Sequence, residues 1–247
     1  MFADRIIQRI PISIRRPLRK VYEYSKKGSL RKLHSQFIQP GTLVFDIGAH
    51  TGYYSECFLS LGAKVVCVEP QPYCIQKLKH RFRGVSDIKI LEMGVAERKD
   101  ELLLHIDSSN SATATFSEKF MLHGPFRNRH WGLEITVPVT TLDDLIAEYG
   151  VPGYCKIDVE GYEPNALEAL STRIPIISFE YCREFLDDTA RCLEHLERLG
   201  EICLNYAPTF DFTRLQLKHW TNSKQELLDR ISNSSIEYSG DIFVLFK

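Results

Sequence analysis

From Thr42 onward the chain alternates short β-branched apolar runs with amphipathic stretches, the pattern of a parallel sheet joined by crossover helices. Leu43–Ile47 and Lys64–Val68 read as the first two strands. Between them Tyr53–Leu61 has helical spacing and Gly62 stops it, a strand-helix-strand unit with the right-handed crossover such units adopt. Pro72–Phe82 reads as the next helix, Ile88–Glu92 as a third strand, Tyr154–Val159 as a fourth and Ile174–Glu180 as a fifth. Helices at Asn165–Leu170 and Leu186–Leu199 separate the later ones. Two runs break the alternation: Leu102–Ile106 and Ile135–Thr140 face each other across a polar loop, 107–132, as a hairpin inserted at about 101–141. That loop carries Ser108-Ser-Asn-Ser111 with Phe116, Phe120, Phe126 and Trp131, a mixture suited to covering a bound ligand. Ile202–Tyr206 and Asp241–Phe246 add two strands that close one sheet edge.

The chain is long enough, at 247 residues with 44% hydrophobic, for one sizeable core. Its net charge of -1 gives no electrostatic case for nucleic acid as a partner. The charge is asymmetric, however. Residues 1–33 hold ten Lys/Arg against Asp4 and Glu23, a balance of +8 that leaves -9 for the rest. We therefore divide the chain into a basic helical arm, 1–40, and a main domain, 41–247. The isoleucines and prolines of 1–33 suit short helices resting on a membrane face or an anionic substrate; a solvated basic helix packed on the main domain requires neither. Apolar runs such as Ile174–Phe179 are far shorter than the roughly 20 residues that cross a bilayer. Seven cysteines without framework spacing point to reduced thiols and a cytoplasmic protein.

Candidate chemistry gathers at the ends of the predicted strands, where open parallel sheets bind ligands. In Asp46-Ile-Gly48-Ala-His50-Thr-Gly52 the glycines permit a tight turn and the following helix offers unpaired N–H groups. A dinucleotide site calls for G-x-G-x-x-G, and this turn has only G-x-x-x-G. Asp46 beside it suits a ligand carrying both an ammonium and a carboxylate, as S-adenosylmethionine does. Glu69 ends the second strand, 21 positions after Gly48, where a carboxylate accepts hydrogen bonds from both ribose hydroxyls of an adenosine. In Lys156-Ile-Asp158-Val-Glu160, alternation puts Lys156, Asp158 and, if the chain stays extended, Glu160 on one side. A lysine inside an apolar strand requires a charged partner, and Asp158 or Glu180 is placed to supply it. Asp46, Glu69, Asp158 and Glu180 are thus expected to converge.

These stretches resemble the FkbM-type S-adenosylmethionine-dependent methyltransferases. The matching signatures are Val44-Phe-Asp-Ile-Gly-Ala-His-Thr-Gly52, Val66-Cys-Val-Glu-Pro70, Lys156-Ile-Asp-Val-Glu-Gly-Tyr-Glu163 and the closing strand Gly240-Asp-Ile-Phe-Val-Leu245. The resemblance runs from about residue 42 to the end; the chain departs at His50, where Asn is common. It implies a Rossmann-like class I methyltransferase fold: α/β, with a mostly parallel seven-stranded sheet, helices on both faces and the inserted hairpin. It also implies O-methyl transfer to a hydroxyl of a small molecule or glycan. On this reading Asp46, Gly48, His50 and Gly52 hold the methionine part, Glu69 and Pro70 the ribose side, and Glu92–Val95, with Gly94 and Val95, the adenine.

Glu160 is the first candidate for the acceptor of the hydroxyl proton and Asp158 the second, although Asp158 is equally placed to bind the cofactor's amino group. His50 is a third, since an imidazole titrates near neutral pH. No histidine or cysteine spacing predicts a zinc site. Magnesium, held between strand-tip carboxylates and substrate oxygens, stays open without support from spacing. Two rivals share the scaffold: a nicotinamide-dependent oxidoreductase, which the missing middle glycine disfavours, and a non-catalytic binding module. The Asn/Asp-Pro-Pro-Tyr/Phe tetrapeptide of amino-group methylation does not occur in the sequence.

Overall fold

The computed structural model describes residues 28–108, 113–123, 127–209, 214–234 and 238–247. Most of the basic arm, the 109–111 part of the hydroxyl run and Phe126 therefore lie outside the described residues. In chain order the strands are β1 Leu43–Ile47, β2 Lys64–Val68, β3 Ile88–Leu91, β4 Gly94–Val95, β5 Asp100–Asp107, β6 Ala114–Thr115, β7 Trp131–Thr140, β8 Tyr154–Ile157, β9 Ile176–Cys182, β10 Ile202–Pro208 and β11 Ser239–Phe246. The helices that follow a helical segment at 28–34 are α1 Tyr53–Ser60, α2 Pro72–Arg81, α3 Glu118–Leu122, α4 Leu142–Tyr149, α5 Glu163–Glu168, α6 Leu186–Leu199 and α7 Lys224–Asn233.

Among the described residues the main sheet has seven strands in the order β10-β11-β9-β8-β1-β2-β3. The five strands from β9 to β3 run parallel, while β11 is antiparallel to both of its neighbours. This is the mostly parallel seven-stranded arrangement that the resemblance implies. Of the two C-terminal strands only β10 lies at the edge; β11 enters between β9 and β10 and so brings Asp241 into the middle of the sheet.

The period-2 alternation of strand side chains sorts the apolar residues into two cores. Phe45, Ile47, Val66 and Val68 face a layer built with Leu142, Leu167, Leu193 and Ile231 from α4 to α7. Val44, Val65 and Cys67 face the other, built with Leu33, Phe58, Ile75 and Leu78. Helices therefore cover both faces. The segment 28–38 belongs to the second core, with Leu30, Leu33 and Ile38 buried beside Tyr154 and Phe243. His34 is buried there too: its Nδ1–H donates to the Leu30 carbonyl, and burial pushes the ring down to about 4, so it is neutral.

The expected hairpin forms, with β5 and β7 antiparallel, and β4 and β6 extend it to a second sheet in the order β4-β7-β5-β6. Gly94 and Val95 pair with Val139 and Thr140, so the chain leaving β3 is stitched directly to the insertion. Sequence periodicity did not single out α4 or α7, yet both begin on a capping signal. The Thr141 hydroxyl accepts from the Asp144 N–H and the Ser223 hydroxyl from the Glu226 N–H.

Candidate active site

The carboxyl ends of β1, β2 and β8 meet the second sheet around a cleft of about 210 Å³. The turn after β1 crosses the tip of β8 so closely that a Cβ on Gly48 would lie 1.8 Å from the Asp158 carbonyl oxygen. Gly48, at φ 79°, is thus required by chain-to-chain approach as well as by the turn. Gly52, at φ 82°, packs against Leu78 and Phe82 and does not line the cleft. Asp46 also lies behind the wall, 1% exposed, where it accepts a 2.5 Å hydrogen bond from Ser55. Burial pushes it up to about 6. Asp46 and Gly52 therefore shape the turn from behind, whereas Gly48, His50, Glu69, Pro70, Gly94, Val95, Asp158 and Glu160 line the cleft.

Glu69 is 6% exposed at the end of β2. One carboxylate oxygen accepts from the His50 N–H at 2.7 Å and the other from the Gln71 N–H at 2.8 Å. These two bonds fix the plane of the carboxylate and leave one lone pair on each oxygen. Burial pushes Glu69 up to about 7 despite the two donors. His50 makes its bond from a left-handed backbone, φ 50°, which costs a non-glycine residue roughly 1–2 kcal/mol. A hydrogen bond to a charged group contributes about 1.5–3 kcal/mol, enough to offset that strain. The His50 ring is itself lowered, chiefly by burial, and is neutral at physiological pH.

Lys156 is fully buried in β8, and its ammonium reaches both Asp158 and Asp241 at 3.0 Å. It also lies 4.7 Å from the centre of the Tyr54 ring, whose hydroxyl donates to Asp241. The two carboxylates hold the lysine well above its ordinary range despite burial. Asp158 is one of the two partners expected from the sequence. The other, Glu180, makes no direct pair: β9 runs on to Cys182, and Glu180 lines a separate small pocket with Phe120, Glu163 and Asp188. The four carboxylates do come within electrostatic reach of one another, since, beyond burial, Asp158 raises Asp46, Glu69 and Glu180 alike; what is corrected is the lysine's second partner, where Asp241 takes the place given to Glu180.

Strand β8 ends at Ile157, so extension does not persist to Glu160. Glu160 adopts φ 54° and Gly161 φ 86°, a reversed turn that still leaves Glu160 on the cleft wall. Glu163 secures the turn by accepting from the Val159 and Gly161 N–H groups. Burial first, then Asp158 and Glu163, push Glu160 up to about 8. Met93, Val95, Leu104 and Phe116 give the same cleft an apolar lining. Thr115 and Phe116 come from the loop noted for its aromatics; Leu104 comes from β5, and sequence spacing alone did not mark it as a wall. Among the described residues no group of three or more His, Cys, Asp or Glu side chains is arranged to hold a metal ion.

A cleft that offers apolar side chains, a carboxylate with a lone pair left on each oxygen and further acidic groups has the chemistry that S-adenosylmethionine, with its purine, ribose hydroxyls and cationic groups, would require, and the walls fit that group. The fold and cleft define an S-adenosylmethionine-dependent methyltransferase. The methyltransferase FkbM domain matches residues 46–221, more than half of the chain, and the chain belongs to that family. None of the curated proteins matches it. Solved structures with a similar fold include precorrin-6y C5,15-methyltransferase from Geobacter metallireducens, at 11% identity over 87% of this chain and 85% of that one, with a TM-score of 0.48. A putative rRNA methylase from Clostridium thermocellum shares 10% identity over 88% and 93%, TM-score 0.48. Aeropyrum pernix fibrillarin, crystallised with S-adenosyl-L-methionine, shares 8% over 85% and 68%, TM-score 0.48.

Proposed function

We propose that the protein transfers the methyl group of S-adenosylmethionine to a hydroxyl of a small molecule or glycan, with Glu160 accepting the hydroxyl proton. The observation that carries this reading is the Glu160 carboxylate on the cleft wall, held in a left-handed turn and pushed up to about 8. A carboxylate tuned upward is a stronger base than an ordinary one, as removal of a hydroxyl proton requires. Bound S-adenosylmethionine supplies an electrophilic methyl on a sulfonium, a leaving group that needs no further activation. The chain's contribution is placement. Glu69 receives the ribose hydroxyls, Asp158 stands ready for the amino group, and the slot of Met93, Leu104 and Phe116 receives the purine and sheds water. Alignment of the attacking oxygen then lowers the barrier alongside the proton transfer. The seven unpaired cysteines favour a reducing compartment, and we place the protein in the cytoplasm.

The test is incubation with methyl-labelled S-adenosylmethionine and a panel of glycans, hydroxylated small molecules, RNA and protein, followed by mass analysis. The expected result is a gain of one methyl on a hydroxyl in the first two classes. Label found only on nitrogen, RNA or protein contradicts the reading.

A further inference from the structure

The turn that carries Glu160 is held from two directions. Glu163 serves its N–H groups, as described above. Its carbonyl side is served by the inserted hairpin: the Thr115 hydroxyl donates to the Glu160 carbonyl oxygen at 2.7 Å. Thr115 is 1% exposed, and the same hydroxyl accepts from the Ser117 N–H at 2.9 Å, so both of its roles are occupied. Ser117 in turn caps α3, accepting from the Phe120 N–H. The Phe120 ring then covers Gly161, where an added Cβ would lie 2.6 Å from it. The circuit is anchored on the main domain by Lys119, which bonds Asp187 and Asp188 of α6 at 2.6 Å each.

We propose that Thr115 is a positioning residue: its hydroxyl, donated to the Glu160 carbonyl, holds the left-handed turn that keeps the Glu160 carboxylate against the cleft. The insertion that covers the cleft thus also sets the base. This rests on the reading of Glu160 as proton acceptor for its functional meaning, while the placement itself can be tested without any acceptor. The groups that face Glu160 are Asp158 at the tip of β8, Glu163 on α5, Glu180 on β9, Lys156 on β8 and Arg129 ahead of β7. None of them is altered by a change at Thr115, so a shift in Glu160 titration reports its position.

The experiment is a carbon-13 carboxyl NMR titration of glutamate-labelled protein, with the Glu160 signal assigned by its loss in Glu160→Gln. In Thr115→Val, which keeps the shape and removes the donor, the midpoint is expected to fall by about one pH unit or more as the carboxylate gains water. Thr115→Ala, which makes no steric demand, is read in the same way in case the valine variant does not fold. Thr115→Ser restores the wild-type midpoint. An unchanged midpoint in the folded Val or Ala variant overturns the proposal, and so does a Ser variant that shifts with them, since the loss then follows the methyl group and not the donor. If Glu160→Gln still transfers methyl groups, the base assignment fails while this titration continues to decide the placement.

Discussion

With Glu160 as the proposed base, replacing it by Gln is expected to lower methyl transfer by about 10²–10⁴-fold while S-adenosylmethionine still binds. The amide keeps the size of the side chain and removes its basicity, so the loss falls on kcat and not on cofactor affinity. On the same assignment the wild-type rate is expected to carry a pH signature as well. A base must be ionised, and Glu160 is pushed up to about 8, so the rate rises through neutrality and levels off above that value. The Gln variant lacks this limb. Stability moves the opposite way. The folded value lies above the ordinary 4.5, so the protonated form favours folding at low pH, and that contribution is lost as pH rises from 4.5 through about 8. Glu160→Gln is therefore expected to be more stable than wild type at pH 9 and closer to it at pH 5, as read by urea midpoints. Full activity in the Gln variant removes Glu160 from the chemistry.

Lys156→Met is expected to destabilise the fold by about 3–5 kcal/mol, the cost of leaving buried partner charges uncompensated. Asp241 is nearly fully buried and loses its cation outright, while Asp158 keeps partial access to water. The double change Lys156→Met with Asp241→Asn should recover much of the loss, because the remaining buried carboxylate is gone. Cofactor affinity should stay depressed in both, since Asp158 is no longer held at the wall. A urea midpoint for Lys156→Met within about 1 kcal/mol of wild type contradicts the pairing, being the scale of an exposed ion pair.

The parallel sheet was legible because its strands are short apolar runs bounded by turn residues, and the boundaries agree within a few positions. The cleft was legible in part. Gly48, His50, Glu69, Pro70, Gly94, Val95, Asp158 and Glu160 all reach its wall because strand ends converge in any open parallel sheet. Asp46 looked like a wall residue by adjacency alone; the sharp turn at Gly48 sets it behind the surface, bonded to Ser55. The pairing of Asp241 with Lys156 was illegible for a topological reason. Asp241 lies 85 positions from Lys156, and the pair forms only because β11 enters between β9 and β10. The left-handed Glu160 was equally hidden, since alternation describes extended backbone and Glu160-Gly161 reverses it. The Gly161 that follows was the available signal of a turn. The capping pairs Thr141/Asp144 and Ser223/Glu226 were a comparable signal for the two helices that periodicity passed over.

The strand-end cleft is expected to seat S-adenosylmethionine with its ribose on Glu69. Calorimetric titration of the protein with S-adenosylmethionine at pH 7, in two buffers of different ionisation enthalpy, reads this out. Burial pushes Glu69 up to about 7, and hydroxyl donors together with a cationic ligand favour its ionised form, so binding should release protons. Glu69→Ala should lose about 10–100-fold in affinity, the worth of a hydrogen bond to a charged group. NAD should give no comparable heat. Equal affinity in wild type and Glu69→Ala, or binding of NAD in place of S-adenosylmethionine, would show that the ribose does not rest on Glu69.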